Sequence, residues 1–151
     1  MATLFTRIIE GEIPGRFVWS DDVCVAFATI APISDGHVLV VPRAEVDRFT
    51  AATDELLAHL MGVAKVIGSA QETAFGAPRA ALLVAGFEVP HLHLHVLPAW
   101  GEAHLSFRDA KPDTPADRLD EAMEALRDAL RAAGHGDHVP ALLGSPGLQP
   151  R

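Results

Sequence analysis

Three histidines spaced two apart, His91, His93 and His95, stand in the run Val89-Pro90-His91-Leu92-His93-Leu94-His95-Val96-Leu97-Pro98. Side chains on a β-strand alternate between its faces. The three imidazoles therefore share one face, while Leu92, Leu94 and Val96 turn to the other. Same-face neighbours on a strand lie about 7 Å apart. One strand histidine is ordinarily a satisfied polar group; three in strict alternation are costly to bury without a task. Two chemistries use such a row. Histidine-x-histidine is a common arrangement around zinc or iron. In the other, one imidazole attacks phosphorus while its neighbours donate to phosphate oxygens. A single ion normally takes acidic or cysteine ligands as well, and a row splayed along one strand reaches it poorly. An extended phosphate group suits the row better.

The elements that must hold this row can be read from period and punctuation. Leu92 to Leu97 and Ala80 to Ala85 read as two strands around Gly86 and Pro90, and His37 to Val41 as a buried strand ended by Pro42. Phe17 to Trp19 and Val23 to Phe27 are β-prone runs split by Ser20-Asp21-Asp22, a hairpin signal. Phe5 to Glu10 gives one or two helical turns ending at Gly11. Thr53 to Phe75 reads as a long helix: Thr53 caps it, Asp54 and Glu55 suit its positive end, and Gly76 and Pro78 stop it. Thr114 before Pro115 starts another helix, which carries Leu119, Met123, Leu126 and Leu130 inward and ends at Gly134. Antiparallel strands with a few helices make an α+β domain. Residues 1–134 are expected to form it, with the motifs over 3–100 and the last helix over 115–133. Residues 135–151, rich in glycine and proline, are expected to be a flexible tail.

Bulk properties narrow the function. The formal charge of −8 and the lack of a basic cluster argue against a nucleic-acid partner. Attraction for a phosphate must then be local. No apolar run reaches the ~18 residues of a membrane span, and the N-terminus is too short and polar for a signal peptide. Cys24 is the only cysteine, which excludes an internal disulfide and a multi-cysteine metal site and makes a reducing cytoplasm the expected compartment.

The histidine row with apolar spacers, close behind a glycine turn, resembles the signature of the histidine-triad (HIT) superfamily. The likeness runs through residues 3 to 100. Phe5-Thr6-Arg7-Ile8-Ile9-Glu10-Gly11-Glu12-Ile13-Pro14 is similar to the family's opening helix, and Ser20-Asp21-Asp22 with Val25-Ala26-Phe27 to its second hairpin. Asp35-Gly36-His37-Val38-Leu39-Val40-Val41-Pro42-Arg43 is similar to its Gly-His-x-Leu-Val-x-Pro-Lys/Arg strand. The resemblance implies a five-stranded antiparallel sheet with two main helices, and a homodimer. It implies a nucleotide substrate, a purine nucleoside phosphoramidate or a dinucleoside polyphosphate, cleaved at the α-phosphorus. His93 would be the nucleophile, its second nitrogen held by a backbone carbonyl near His91. His95 would donate to a phosphate oxygen and the leaving group, and His37 would help orient the triad. Phe5, Phe27 and Ile30 sit where family members enclose the base, although each reads equally well as plain core. No cofactor is implied.

The departures from the pattern concern the substrate. Thr29 stands where the family usually has a ribose-binding aspartate, and Val84 or Ala85 where it has an asparagine. Gly86-Phe87-Glu88-Val89 replaces Gly-Gln-Ser/Thr-Val. Glu88 would repel phosphate, or act as an acid toward a leaving amine, unless it is simply a rim ion pair. Some bacterial relatives hold structural zinc through Cys-x-x-Cys and two histidines. The cysteine positions are here Thr3 and Thr6, and one histidine position is Glu45, so no metal site is expected there. His59, His104, His135 and His138 carry no motif and read as surface residues, while Trp100 suits either a cover for the site or a cap on the core. Two alternatives to the hydrolase stand: a nucleotide-binding module with little or no turnover, suggested by the missing contacts, and a metal-binding β-protein.

Overall fold

A row of histidines on one face of a strand needs a sheet whose two faces meet different surroundings. A computed structural model, describing residues 2–147, provides one. Strands β1 (Phe17–Ser20), β2 (Cys24–Ala28), β3 (Val38–Pro42), β4 (Arg79–Leu83) and β5 (Leu94–Ala99) form an antiparallel sheet in the order β1-β2-β3-β5-β4. Period two divides the side chains. Cys24, Ala26 and Ala28 of β2, Val38 and Val40 of β3, and Leu94 and Val96 of β5 pack beneath two long helices, α2 (Asp54–Phe75) and α3 (Ala116–Leu130). Val25 and Phe27, with Leu39 and Val41, face the other way. There they form a smaller cluster with Phe5 and Ile9 of the short helix α1 (Leu4–Ile9). The fold is thus the α+β class expected.

The helix ends follow local chemistry. Thr53 Oγ1 accepts from the Leu56 amide, and Gly76 closes α2 in the left-handed region at φ 63°. α3 starts one residue later than expected. Thr114 donates its hydroxyl to the Lys111 carbonyl in the preceding turn, which leaves Pro115 as an N-cap without a side-chain bond. At Gly36, φ is +95° and an added Cβ would lie 2.4 Å from the Phe75 ring, so this glycine is required where the chain turns toward His37.

Two expectations change. β5 begins at Leu94 and not Leu92, where Val40 opposite Leu94 is the last pair with β3, and β4 ends at Leu83, opposite His95. His91 and His93 thus precede the ladder, and the Leu92 amide bonds instead to the Val46 carbonyl. The segment after Gly134, expected to be loose, is tied to the domain as far as it is described; residues 148–151 lie outside the described residues. Arg127, 1% exposed, donates to the carbonyls of Phe17 and Pro140, and the Phe17 amide donates to the Leu143 carbonyl. Val139 is buried, and the His138 ring stacks on Trp19 at 4.5 Å.

Arg127→Leu would strand two carbonyls that the guanidinium now bridges. Urea denaturation should show a loss of about 2–4 kcal/mol, with the segment after residue 134 becoming the first site of limited proteolysis. Unchanged stability would mean that these bonds do not hold the tail.

Candidate active site

The four histidines that the sequence singles out lie along the β3–β5 pair, from His37 just before β3 to His91 against Pro42 at its other end. Three backbone groups, whose protons cannot move, set the tautomers of all four rings. His93 Nδ1 lies 2.7 Å from the His91 carbonyl oxygen, and His91 Nε2 lies 2.7 Å from that of Pro42. A carbonyl oxygen only accepts, so both nitrogens carry protons. His91 Nδ1 is then bare and accepts the Thr3 hydroxyl proton at 2.6 Å. On the other side, the Ile33 amide donates to His37 Nδ1 at 3.1 Å. An amide only donates, so His37 bears its proton on Nε2 and gives it to His95 Nδ1 at 2.9 Å. Six of the eight ring nitrogens are thus committed. His93 Nε2 and His95 Nε2 remain: the first offers a lone pair and the second a proton.

Electrostatics keep the rings neutral. Burial pushes His37 down to about 3, with the His95 ring adding to it. Burial and the His93 ring bring His95 down to about 4. His91 and His93 are also lowered, chiefly by burial; Glu88 draws His93 partly back up.

A cleft of about 590 Å³ opens over these rings. His37, His93 and His95 line it together with Phe5, Phe27, Thr29, Ile30 and Glu88, so the structure brings together every expected site residue except His91. His91 is fully buried beneath the others. Phe5 and Phe27 are both core and cleft wall; they are 5% and 3% exposed and meet edge to face at 5.5 Å. The Phe5 ring also stands edge-on to His93 at 4.9 Å. Ile30 and Glu88 are exposed at the rim, and Thr29 Oγ1 accepts from the Ala31 amide.

Sequence reasoning missed three residues here. Phe107, in the turn Phe107–Asp109, lies 4.8 Å from the His95 ring and forms a second aromatic wall. Its only signal was Ser106, which caps that turn. Arg16 also lines the cleft, with its Nε on Asp120 at 2.6 Å. Thr3 read only as a lost cysteine. Trp100 is exposed and does not line the cleft.

His59 is not a free surface residue: its Nε2 lies 2.8 Å from Asp21 Oδ2. Asp21, Cys24 and His59 gather their ligand atoms within 4.8 Å of one another. That knot is already satisfied by hydrogen bonds. Asp21 Oδ2 accepts from Trp19 Nε1, His59 and the Cys24 thiol, and Oδ1 accepts the amides of Val23 and Cys24. Burial would raise Asp21, but these donors bring it down to about 2, while burial and the Asp21 carboxylate push the Cys24 thiol up.

With this geometry in hand, residues 10–101 match the model of the HIT domain. The chain belongs to that family. An uncharacterized HIT-like protein of Methanocaldococcus jannaschii is 37% identical over 101 residues, 64% of this chain and 78% of the relative. Among solved structures, a hypothetical histidine triad nucleotide-binding protein from Sulfolobus tokodaii superposes with TM-score 0.75 at 26% identity, covering 85% of this chain and 91% of that one. A zinc-bound histidine triad family protein from Mycobacterium smegmatis gives TM-score 0.77 at 25% identity, covering 90% and 98%. The zinc ligands that the family resemblance puts near the N-terminus do not fit here. Thr3 and Thr6 offer neutral hydroxyls where zinc takes thiolates, and their oxygens are turned to one another and to His91.

The neutral rings predict the acid limb of stability. A histidine's ordinary pKa is about 6.5. Folded His37 and His95 titrate near 3 and 4, so the unfolded chain takes up protons first. The stability they contribute is complete above about pH 6.5 and is lost as the pH falls toward 4 and then 3. His37→Gln should therefore cost most near pH 7.5, and its gap from wild type in urea denaturation should narrow steadily toward pH 4.5. A gap independent of pH would contradict the buried neutral ring.

Proposed function

We propose that the protein hydrolyses, or transfers, nucleotides at the α-phosphorus of nucleoside phosphoramidates or dinucleoside polyphosphates, through a nucleotidyl-histidine intermediate. The observation that carries this reading is the pair of uncommitted nitrogens: a lone pair on His93 Nε2 beside a proton on His95 Nε2. The His93 lone pair attacks phosphorus, and a P–N bond forms as the bond to the leaving group breaks. His95 Nε2–H donates a hydrogen bond to the leaving nitrogen or oxygen, and a leaving amine takes up its proton from solvent. Water then attacks the phosphorus and releases the nucleotide, its proton passes to solvent, and the P–N electrons return to His93. The fixed donors and acceptors around the rings favour this because they need no rearrangement as charge develops. Phe5, Phe27 and Ile30 would hold a purine, and Thr29 and Glu88 would face the sugar and phosphate end. We further take the active form to be a cytoplasmic homodimer. None of the described helices is long and apolar enough to cross a membrane.

A binding module with little turnover is the competing reading, and Glu88 favours it: its carboxylate stands at a cleft that must accept phosphate. One experiment separates the two. Incubation with an adenosine phosphoramidate should yield turnover and, after acid-free quenching, a protein mass increased by one adenylyl group. His93→Ala should lower turnover by several powers of ten while still binding AMP. Wild-type binding without adduct or turnover would favour the module, and His93→Ala within about tenfold of wild type would remove the mechanism.

Thr29 gives a second test. A carboxylate accepts from two vicinal hydroxyls with charge-assisted bonds worth about 1.5–3 kcal/mol, against about 1 for neutral ones. The Thr29 oxygen already accepts the Ala31 amide. AMP and dAMP should then bind within about tenfold of each other, and Thr29→Asp should tighten AMP selectively. A hundredfold wild-type preference for AMP would mean another group holds the ribose.

A further inference from the structure

Where zinc-bearing relatives are expected to place metal ligands, this chain gathers Thr3, Thr6, Glu45 and His91 all the same. The Thr3 amide donates to Glu45 Oε2 at 3.3 Å, and its hydroxyl oxygen lies 3.2 Å from that of Thr6. The same Thr3 oxygen accepts the Thr6 amide at 3.1 Å, which caps α1. We propose that the Thr3 hydroxyl is a positioning residue: a metal-free clasp that fastens helix α1, and with it Phe5, to the first histidine of the triad. This inference rests on the nucleotide reading above for its effect on binding, but not for the clasp itself.

The direction of each bond supports it. His91 Nε2–H is spent on the Pro42 carbonyl, so Nδ1 can only accept, and Thr3 is the donor that meets it, at 2.6 Å. The Thr3 oxygen is left to accept from Thr6, whose amide and hydroxyl both lie within reach. One hydroxyl therefore caps the helix and locks the ring orientation of His91, whose own carbonyl holds His93 Nδ1–H. A helix of six residues has little stability by itself and depends on such attachments. What α1 delivers is Phe5, edge-on to His93 at 4.9 Å and tilted against His91 at 5.7 Å. A neutral hydroxyl does this without a metal, and Thr3 and Thr6 bring no thiolate to a divalent ion.

Thr3→Val removes donor and cap together, whereas Thr3→Ser keeps both. In the full chain, Thr3→Val should weaken AMP binding by about tenfold, with Thr3→Ser within about twofold of wild type. Nitrogen-15 NMR of the histidines supplies a readout that mere loss of stability would not move. His91 should be a neutral Nε2–H tautomer with a hydrogen-bonded Nδ1 in wild type and Thr3→Ser, and Nδ1 should lose that bond in Thr3→Val. Amide exchange at Phe5 and Thr6 should accelerate in Thr3→Val alone. Stoichiometric zinc in the purified protein, released by Thr3→Val, would overturn the proposal. So would a His91 Nδ1 signal that is the same in all three proteins. If wild type binds no AMP, the nucleotide reading fails, and the NMR and exchange data still decide the clasp.

Discussion

The bond from His93 Nδ1 to the carbonyl of His91 joins two residues of one short segment, and most of the site depends on it. A peptide oxygen cannot donate, so the proton stays on Nδ1 and the lone pair stays on Nε2. The Ile33 amide sets the opposite boundary condition at His37, and the signal passes through one ring to His95. Two backbone groups of opposite polarity, one at each end of the cluster, thus decide which exposed nitrogen gives electrons and which gives a proton. Side-chain networks usually leave such choices to pH or to the ligand. Here the main chain makes them at folding.

That arrangement is affordable only because the sheet has two separate apolar faces. Leu92, Leu94 and Val96 are buried against the long helices, which fixes the strand's rotation and sends every histidine to the far side. On that side Phe27 and Leu39, backed by Val25 and Val41, exclude water from the cleft wall. Exclusion of water lowers the pKa of each ring, and neutral rings are the state in which one nitrogen can be a nucleophile. Core packing, protonation and chemistry are consequently linked through the same few side chains. Gln71 adds a stitch beneath them: its amide donates to the carbonyls of Gly36 and Val96, each adjacent to a histidine of the cluster.

Much of this is legible in the residues themselves. Alternation over residues 91–96 assigned the faces correctly, and Thr53, Gly76 and the apolar spacing between them delimited α2. Period and spacing could not announce bonds to carbonyls, because an acceptor on the main chain carries no residue signature; the one expected, from His93 to a carbonyl near His91, came from the family resemblance. That is why the ties from Arg127 to Phe17 and Pro140 went unread and the tail seemed loose. The same blindness hid the start of β5: nothing in Leu92 says that its amide will prefer Val46 to the ladder. Phe107 escaped for another reason. Its turn lies outside any periodic element, so only the folded chain brings it to His95.

Trp19 holds the last consequence. Its indole N–H is fixed on Asp21, its ring is 5% exposed, and the His138 imidazole lies flat against it. The other tryptophan, Trp100, is more than half exposed. The two should therefore emit at different wavelengths, the buried one quenched by the imidazole stacked on it. The molecule contains its own optical gauge of whether the C-terminal segment is docked, on the side of the sheet away from the cleft, where a bound nucleotide would not disturb it.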